Sequence, residues 1–204
     1  MFPTDSSDAR LYAPATERNR EAIAAVLSDV LPQKGLVLEV ASGTGQHITW
    51  FAPRFAQHTW QPSDPDPLHL ASIRSWRGHS DAPNLRPPVQ LDASTDDWGI
   101  DHADVILCIN MIHIAPWQAC LGLLRGAAKL LPTGGILYLY GPFKRQGEHT
   151  APSNEAFDFS LRSQDASWGV RDLDEVTAAA HQHGLLLAQV IPMPANNLSV
   201  VLRK

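Results

Sequence analysis

One segment, residues 36–47, constrains the fold of this chain more than any other. It reads Leu-Val-Leu-Glu-Val-Ala-Ser-Gly-Thr-Gly-Gln-His, an apolar run that carries one carboxylate, Glu39, into a turn of small residues. The glycines at 43 and 45 tolerate positive φ and leave no Cβ in the way of a ligand. A helix that begins directly after such a turn points free N–H groups at polar ligand atoms. The segment predicts a strand, a tight turn and a helix that together bind a nucleoside-containing cofactor.

The spacing of these glycines excludes two common nucleotide sites. The dinucleotide fingerprint Gly-x-Gly-x-x-Gly needs a third glycine at position 48, where this chain has Ile48. A phosphate-binding P-loop needs a following Gly-Lys-Ser/Thr, which is not present. A nicotinamide-dependent oxidoreductase and a protein with a nucleotide-binding P-loop are therefore both disfavoured.

The spacing that is present, acidic-x-small-x-Gly-x-Gly, resembles the first motif of Rossmann-like (class I) S-adenosylmethionine-dependent methyltransferases. It runs from Glu39 through Ala41 and Gly43 to Gly45. The family usually has glycine where this chain has Ala41, which restricts the dihedral angles of the turn without blocking a ligand. The resemblance implies S-adenosylmethionine as the cofactor and S-adenosylhomocysteine as the product. A strand-to-helix turn without a ligand is the plain alternative, because small-residue turns are common.

Apolar periodicity predicts strands that alternate with helices along the chain. The predicted strands cover residues 36–40, 58–61, 88–91, 104–110, 136–141, 185–191 and 198–203. Predicted helices cover 16–31 and 46–55 and begin near residues 67, 116 and 172. This order predicts an α/β fold, a doubly wound and mostly parallel seven-stranded sheet in a single domain over 1–204. The last two strands are joined by so short a turn that they must be antiparallel, as in the methyltransferase sheet.

Composition excludes several function classes. Hydrophobic residues make up 44% of the 204 residues and charged residues 18%, which is typical of a globular protein. A net charge of −5 argues against nucleic acid as a partner, and no apolar run approaches the roughly 20 residues of a membrane span. We expect a cytoplasmic protein, because no signal peptide is recognisable and two cysteines suit a reducing compartment. None of the nine histidines has partners at metal-ligand spacing, so we expect no metal.

Polar side chains follow the predicted strands at the edge of the sheet where ligands bind in this fold. Asp64 follows the second strand and can accept hydrogen bonds from both ribose hydroxyls, although Asp66 could take that role or only cap its helix. After the third strand the family places a side chain that binds the adenine amino group, and Asp92 stands there beside Ala93. Asn110, after the fourth strand, is expected under the methionine part of the cofactor.

A narrower resemblance covers nearly the whole chain. It rests on Pro14-Ala-Thr-Glu-Arg-Asn, Glu-Val-Ala-Ser-Gly-Thr-Gly-Gln-His, Asn-Met-Ile-His-Ile, Asn-Glu-Ala-Phe-Asp and Trp-Gly-Val-Arg-Asp. These segments are similar to the methyltransferase-like group that includes animal methyltransferase-like protein twenty-six. The predicted cofactor-binding residues are Arg18, Asn19, Glu39, Ala41, Ser42, Gly43, Gly45, His47, Asp64, Asp92, Ala93, Asn110 and Met111.

Residues 142–171 form a long insertion between the fifth strand and the next helix. Ordinary connections in α/β folds take two to six residues, and its aromatic residues argue against disorder. We interpret the insertion as a lid on the substrate side, with a purely structural flap as the alternative. The predicted substrate-binding residues are Asn154, Phe157, Arg162 and Trp168. The guanidinium groups of Arg162 and Arg171 suggest a small anionic or carboxylated acceptor.

Two residues are candidates for catalysis. His113 follows the fourth strand and titrates near neutral pH, which suits a general base, although it could instead pack against the cofactor or cap a helix. Tyr12 lies in a polar segment before the first helix that could line the substrate side. A second hypothesis is a non-catalytic relative that binds S-adenosylmethionine or its product as a sensor or interaction module. An acceptor pocket beneath residues 142–171 favours the enzyme, and a pocket filled by the protein's own side chains favours the binding module.

Overall fold

A seven-stranded sheet runs through the structure, a computed structural model that describes residues 8–204. Its strands are β1 (Gly35–Val40), β2 (His58–Asp64), β3 (Val89–Gln90), β4 (Val105–Ile109), β5 (Ile136–Gly141), β8 (Leu186–Met193) and β9 (Asn197–Arg203). They lie in the order β3-β2-β1-β4-β5-β9-β8. β1 to β5 are parallel, and β9 is antiparallel to both β5 and β8. The predicted fold, including the antiparallel hairpin at the end of the chain, is confirmed.

Within residues 8–204, six α-helices, two short 3₁₀ helices and one small hairpin accompany the sheet. The helices are α1 (Pro14–Val30), α2 (Gln46–Phe51), α3 (Pro67–Gly78), α4 (Trp117–Leu130), α5 (Pro152–Gln164) and α6 (Leu173–His181). The hairpin consists of β6 (Lys144–Arg145) and β7 (Glu148–His149). Within residues 8–204, none of the helices has both the length and the apolar character needed to cross a membrane.

The two faces of the sheet are covered by two separate apolar clusters. Val105 and Leu107 of β4 belong to the cluster formed with α1 and α2, while Ile106 and Cys108 belong to the cluster formed with α4 and α6. This alternation follows from the two-residue period of a strand. Burying each aliphatic side chain contributes about 1.5–3 kcal/mol, so a strand that is apolar on both faces belongs in the middle of the sheet.

Two predicted helix boundaries shift next to proline residues, and a third, set by aspartate, lies where it was predicted. α1 begins at Pro14, two residues before the expected cap Thr16, since proline is well tolerated in the first turn. α2 ends at Phe51, before Pro53, rather than at residue 55. The cap at Asp66 is confirmed, because its carboxylate accepts a hydrogen bond from the Leu68 N–H at 2.8 Å.

The 142–171 segment contains a helix that apolar periodicity did not predict. The buried residues of α5 are Asn154, Asp158 and Leu161, so two of the three positions on its inner face are polar. Asp158 joins the parts of the segment to one another. Its carboxylate accepts a hydrogen bond from the Val170 N–H at 2.7 Å and lies 3.2 Å from the Lys144 ammonium. Hydrogen bonds and ion pairs therefore hold this segment in place, whereas apolar contacts hold most other elements of the fold.

Glycine at position 122 allows α4 to approach the chain after β3 more closely than any other residue would. A Cβ atom at Gly122 would lie 2.1 Å from the carbonyl oxygen of Ala93, whereas one at Gly78 would have no neighbour within 4 Å. We expect Gly122→Ala to lower the free energy of unfolding by about 1–3 kcal/mol, because the backbones must move apart. Gly78→Ala, the matched control, should leave it unchanged or raise it by up to about 1 kcal/mol. Urea unfolding followed by circular dichroism measures both, and equal effects would contradict this contact.

Candidate active site

The turn after β1 has left-handed backbone at three positions. φ is 56° at Ala41, 57° at Gly43 and 86° at Gly45. At Gly45 a Cβ would lie 2.9 Å from the Cα of Ile73, so packing against α3 requires glycine there. At Gly43 a Cβ would have no neighbour within 4 Å, which leaves the backbone open to a ligand. Ala41 takes its conformation at a cost of about 1–2 kcal/mol, since its Cβ disfavours it.

Asp64, at the end of β2, holds this turn in place. Its Oδ2 accepts a hydrogen bond from the Gly43 N–H at 2.8 Å. Its Oδ1 accepts one from the Asp66 N–H at 3.0 Å and lies 3.0 Å from Nδ1 of His69. The sequence predicted a ribose contact for Asp64. In the structure the carboxylate is buried, and both of its oxygens already contact the protein.

Glu39 is the one carboxyl group of β1, and it is almost completely buried, with 1% of its surface exposed. Its Oε2 has no hydrogen-bond partner within the described residues. Burial, and to a smaller extent the negative charge of Asp64, raises the pKa of Glu39 to about 8. A buried carboxyl oxygen without a partner, next to the glycine turn, is suited to a positively charged ligand group.

A cavity of about 380 Å³, which we call the ring cavity, lies beyond the ends of β1, β3 and β4. Its lining residues are Val40, Ala41, Pro65, Leu91, Asp92, Ala93, Ser94, Met111, Ala115, Pro116, Gln118 and Ala119. Four predicted cofactor-binding residues, Ala41, Asp92, Ala93 and Met111, are thus brought together. Most of the wall is apolar, and the exposed carboxylate of Asp92 provides a hydrogen-bond acceptor at its rim.

A second cavity of about 550 Å³, the acceptor cavity, lies between the ends of β4 and β5, α1, α5 and the β8–β9 turn. Its lining residues are Ala15, Arg18, Asn19, Asn110, Ile114, Tyr140, Pro142, Ser153, Asn154, Phe157, Pro194, Ala195 and Asn197. Consecutive residues, Asn110 and Met111, line one cavity each, so the end of β4 separates the two. Asn110 also has left-handed backbone, with φ of 62°.

A chain of polar side chains supports the acceptor cavity. His47 Nε2 lies 2.8 Å from Oδ1 of Asn19, and burial lowers the pKa of His47 to about 4, so the imidazole is neutral and donates this hydrogen bond. Burial raises the pKa of Tyr140, while hydrogen bonding to Asn19 and Asn197 opposes that shift. His47 was predicted to bind cofactor, but it lines neither cavity and instead orients Asn19.

The sequence did not identify Tyr140 or Asn197 as site residues. Tyr140 is the penultimate residue of β5, and the rule that ligands bind at the carboxyl ends of parallel strands could have found it. Asn197 begins β9 and reaches the cavity only because this strand runs antiparallel to β5. No local signal in the sequence indicates its position.

The structure argues against both predicted catalytic residues. His113 has no exposed surface and packs edge-on against Phe143, with ring centroids 4.9 Å apart. Its Nδ1 accepts a hydrogen bond from the Arg171 N–H at 3.2 Å, and burial lowers its pKa to about 3. An imidazole enclosed in this way cannot reach an acceptor. Tyr12 is 64% exposed, packs against Trp76 and lines a separate cavity.

Two of the four predicted substrate-binding residues lie elsewhere. Asn154 and Phe157 line the acceptor cavity, but Arg162 and Trp168 do not. Arg162 contacts the Asp158 carboxylate at 3.2 Å, and Arg171 donates hydrogen bonds to the carbonyl oxygens of Ile112 and Ala115. These guanidinium groups stabilise the segment, so they give no support to an anionic acceptor. Within residues 8–204, His, Cys, Asp and Glu side chains form no group of three that could hold a metal ion.

Comparison with family models identifies the family of this chain. A family model described as "Protein of unknown function (DUF938)" matches residues 10–204. The chain belongs to this DUF938 family.

Solved structures with the same fold include several methyltransferases. An O-methyltransferase family protein from Burkholderia thailandensis has a TM-score of 0.76 and 16% identity over 93% of this chain and 57% of its own. Human N-acetylserotonin methyltransferase, in complex with SAM, has a TM-score of 0.76 and 15% identity over 93% of this chain and 52% of its own. An O-methyltransferase family 2 protein from Planctomyces limnophilus, in complex with apigenin, has a TM-score of 0.72 and 21% identity over 97% of this chain and 63% of its own. The chain therefore spans about half to two thirds of these proteins, and the likeness shows the fold.

The raised pKa of Glu39 makes a testable prediction about stability. The folded protein keeps Glu39 protonated up to about pH 8, while the unfolded chain ionises it above about pH 4.5, so unfolding is increasingly favoured as pH rises between these values. Glu39→Gln resembles the neutral acid and should be more stable than the wild type, by a margin that grows from pH 5 to pH 8. Thermal unfolding measures this, at roughly 2–4 °C for each kcal/mol. Glu21→Gln, at an exposed position in α1, is the control, and a margin that does not change with pH would contradict the prediction.

Proposed function

We propose that this protein transfers a methyl group from S-adenosylmethionine to a small-molecule acceptor. The observation that carries the proposal is the arrangement of two cavities on either side of the β4 end, next to an open glycine turn and the unpaired Glu39. The ring cavity suits a flat base, and the acceptor cavity leaves room for a second molecule. That the acceptor cavity is not filled by the protein's own side chains favours an enzyme over a non-catalytic binding module.

The residues present fit each part of the cofactor. Ala93 and Met111 would contact the adenine ring, and Asp92 would accept a hydrogen bond from its amino group. Glu39 would pair with the ammonium group of the methionine part, which removes the cost of an isolated buried carboxylate. Arg18 lines the acceptor cavity and would bind the carboxylate through charge-assisted hydrogen bonds.

The protein's contribution to the reaction would be mainly positional. S-adenosylmethionine, when bound, supplies a methyl group on a positively charged sulfur that a nucleophile displaces in line. The β4 end, at Asn110, would hold the reacting centre between the two cavities, and α5 would cover the acceptor. Orientation of this kind contributes up to roughly 7–11 kcal/mol to a two-reactant step. Residues 142–171 would then act as the lid, since Asn154 and Phe157 both come from this segment.

The comparisons support the choice of substrate class. Human N-acetylserotonin methyltransferase is in complex with SAM, and the Planctomyces limnophilus protein is in complex with apigenin, a small molecule. We extend both properties to this chain as part of the proposal. The narrower similarity to the group of methyltransferase-like protein twenty-six stays a prediction.

Calorimetric titration tests the proposed cofactor directly. S-adenosylmethionine and S-adenosylhomocysteine should both bind, while NAD should not, because Ile48 occupies the position of the third glycine of a dinucleotide site. The absence of heat with either sulfur compound near millimolar concentration would overturn the proposal.

Proton release upon binding tests the position of the cofactor's ammonium group. A positive charge next to Glu39 lowers its pKa from about 8, so binding near pH 7 should release up to one proton. Titrations in phosphate and in Tris, whose ionisation enthalpies differ, measure this number. The release should be lost in Glu39→Gln, and equal enthalpies in the two buffers for the wild type would place the ammonium group elsewhere.

A pair of arginine variants tests the position of the carboxylate. Arg18→Ala should weaken S-adenosylmethionine about tenfold, which corresponds to roughly 1.4 kcal/mol for an exposed charged hydrogen bond. Arg74→Ala removes another exposed guanidinium, from α3, and should leave the dissociation constant unchanged. Similar effects of the two substitutions would mean that Arg18 acts only through the overall charge of the protein.

A further inference from the structure

The wall of the acceptor cavity that faces away from the glycine turn has two asparagines with fixed amide orientation. Asn154 Nδ2 donates hydrogen bonds to the Asn196 carbonyl oxygen at 2.9 Å and to Thr150 Oγ1 at 3.0 Å. Asn197 Nδ2 donates to the carbonyl oxygens of Pro194 and Ala195 at 3.1 and 3.3 Å. Backbone carbonyls only accept, so the two amino groups are fully used. Each side chain therefore presents its carbonyl oxygen, Oδ1, to the cavity.

The polar chain below the cavity runs from His47 through Asn19 to Tyr140. Asn19 Oδ1 accepts from the neutral His47, so its Nδ2 is the group left to donate to the hydroxyl of Tyr140. This wall of the cavity is thus rich in hydrogen-bond acceptors, and it favours a bound group that carries N–H or O–H donors. A thiolate or carboxylate placed against this wall, away from Arg18, would meet two carbonyl oxygens and be repelled.

The titratable groups that line the cavity favour an amine over a hydroxyl as the methyl acceptor. Among the described lining residues these groups are Arg18 and Tyr140. A guanidinium group does not act as a base in proteins, and burial raises the pKa of Tyr140 above its ordinary value. A hydroxyl acceptor must lose its proton as it attacks, and neither side chain can take it. An amine that is neutral in water already carries a lone pair. Aromatic amines are neutral at pH 7, whereas alkylamines are protonated.

The apolar part of the cavity suits a planar ring. Phe157 of α5 lines the cavity and is 39% exposed, and Pro142, Pro194 and Ile114 form further apolar surface. An aromatic ring on Phe157 gains burial together with about 0.5–1.5 kcal/mol from ring packing.

Given the proposed methyltransferase function, we infer that the acceptor is a small aromatic amine and that its nitrogen receives the methyl group. The nitrogen lone pair forms the new N–C bond as the C–S bond breaks, and the bonding electrons stay on sulfur, which becomes the neutral thioether of S-adenosylhomocysteine. The positive charge passes to the methylated nitrogen, which then gives one proton to water. Asn154 and Asn197 orient the N–H groups before attack.

A matched set of acceptors tests the inference. The full-length protein is incubated with saturating S-adenosylmethionine and 4-methylaniline, 4-methylphenol, 4-methylbenzenethiol or 4-methylbenzoate, and products are identified by mass spectrometry. We expect 4-methylaniline to be methylated on nitrogen at least tenfold faster than the other three, with a kcat that is constant from pH 6.5 to 9. A faster phenol, thiol or carboxylate, a kcat that rises with pH, or no transfer to the amine would each overturn the inference. Calorimetric titration with S-adenosylmethionine distinguishes failure of this inference from failure of the proposed function. If the cofactor binds but the amine is not methylated, only the inference about the acceptor is overturned.

Two phenylalanines on the same helix provide the control for the ring site. Phe157→Ala should raise the KM for 4-methylaniline at least fivefold and leave the affinity for S-adenosylhomocysteine unchanged. Phe159, two residues further along α5, is 75% exposed and does not line the cavity, so Phe159→Ala should change neither quantity. Equal KM values for the two variants would show that Phe157 does not form the ring site.

Discussion

The hydrogen bond from the Gly43 N–H to Asp64 is the contact on which the candidate site depends. It ties the turn after β1 to the end of β2, and the Ser42 N–H reinforces it by donating to the Ser63 carbonyl oxygen at 2.8 Å. Because Asp64 is buried, this charge-assisted bond has little competition from water. The turn can therefore keep its left-handed residues and hold the backbone open next to Glu39.

Two of the five non-glycine residues with left-handed backbone in residues 8–204 lie where the two cavities meet. Ala41 and Asn110 are both non-glycine residues in the left-handed region, at the ends of the adjacent strands β1 and β4. Such strain persists only where the surroundings enforce it, and it often coincides with functional sites. Here the neighbouring sheet enforces it, since the Asn110 N–H donates a hydrogen bond to the Tyr140 carbonyl oxygen at 2.8 Å. The strained residues direct the chain away from the sheet and so create the space on either side of β4.

Buried polar groups give the site its chemical character. Glu39 and Asp64 lie next to the glycine turn, while His47, Asn19 and Tyr140 form the chain under the acceptor cavity. A buried polar group is costly without a partner, and the polar chain is paired within the protein. Oε2 of Glu39 has no partner in the described part of the chain, which makes it the most specific indication of a cationic ligand.

The sequence by itself determined the sheet and the position of the glycine turn at the carboxyl ends of its parallel strands. Strand β4 and the turn at Gly43 follow from two local properties, a continuous apolar run and the conformational freedom of glycine, and local properties can be read from neighbouring residues. The tertiary structure alone decided how distant polar residues pair. It buried His113 and placed Arg162 and Trp168 outside the acceptor cavity. It brought Asn197 to that cavity across the antiparallel β5–β9 pair. It also formed α5 around Asn154 and Asp158, because hydrogen bonds to distant parts of the chain replace the apolar period that makes a helix recognisable. Burial and pairing depend on contacts between residues far apart in the chain, and the order of the residues does not record them.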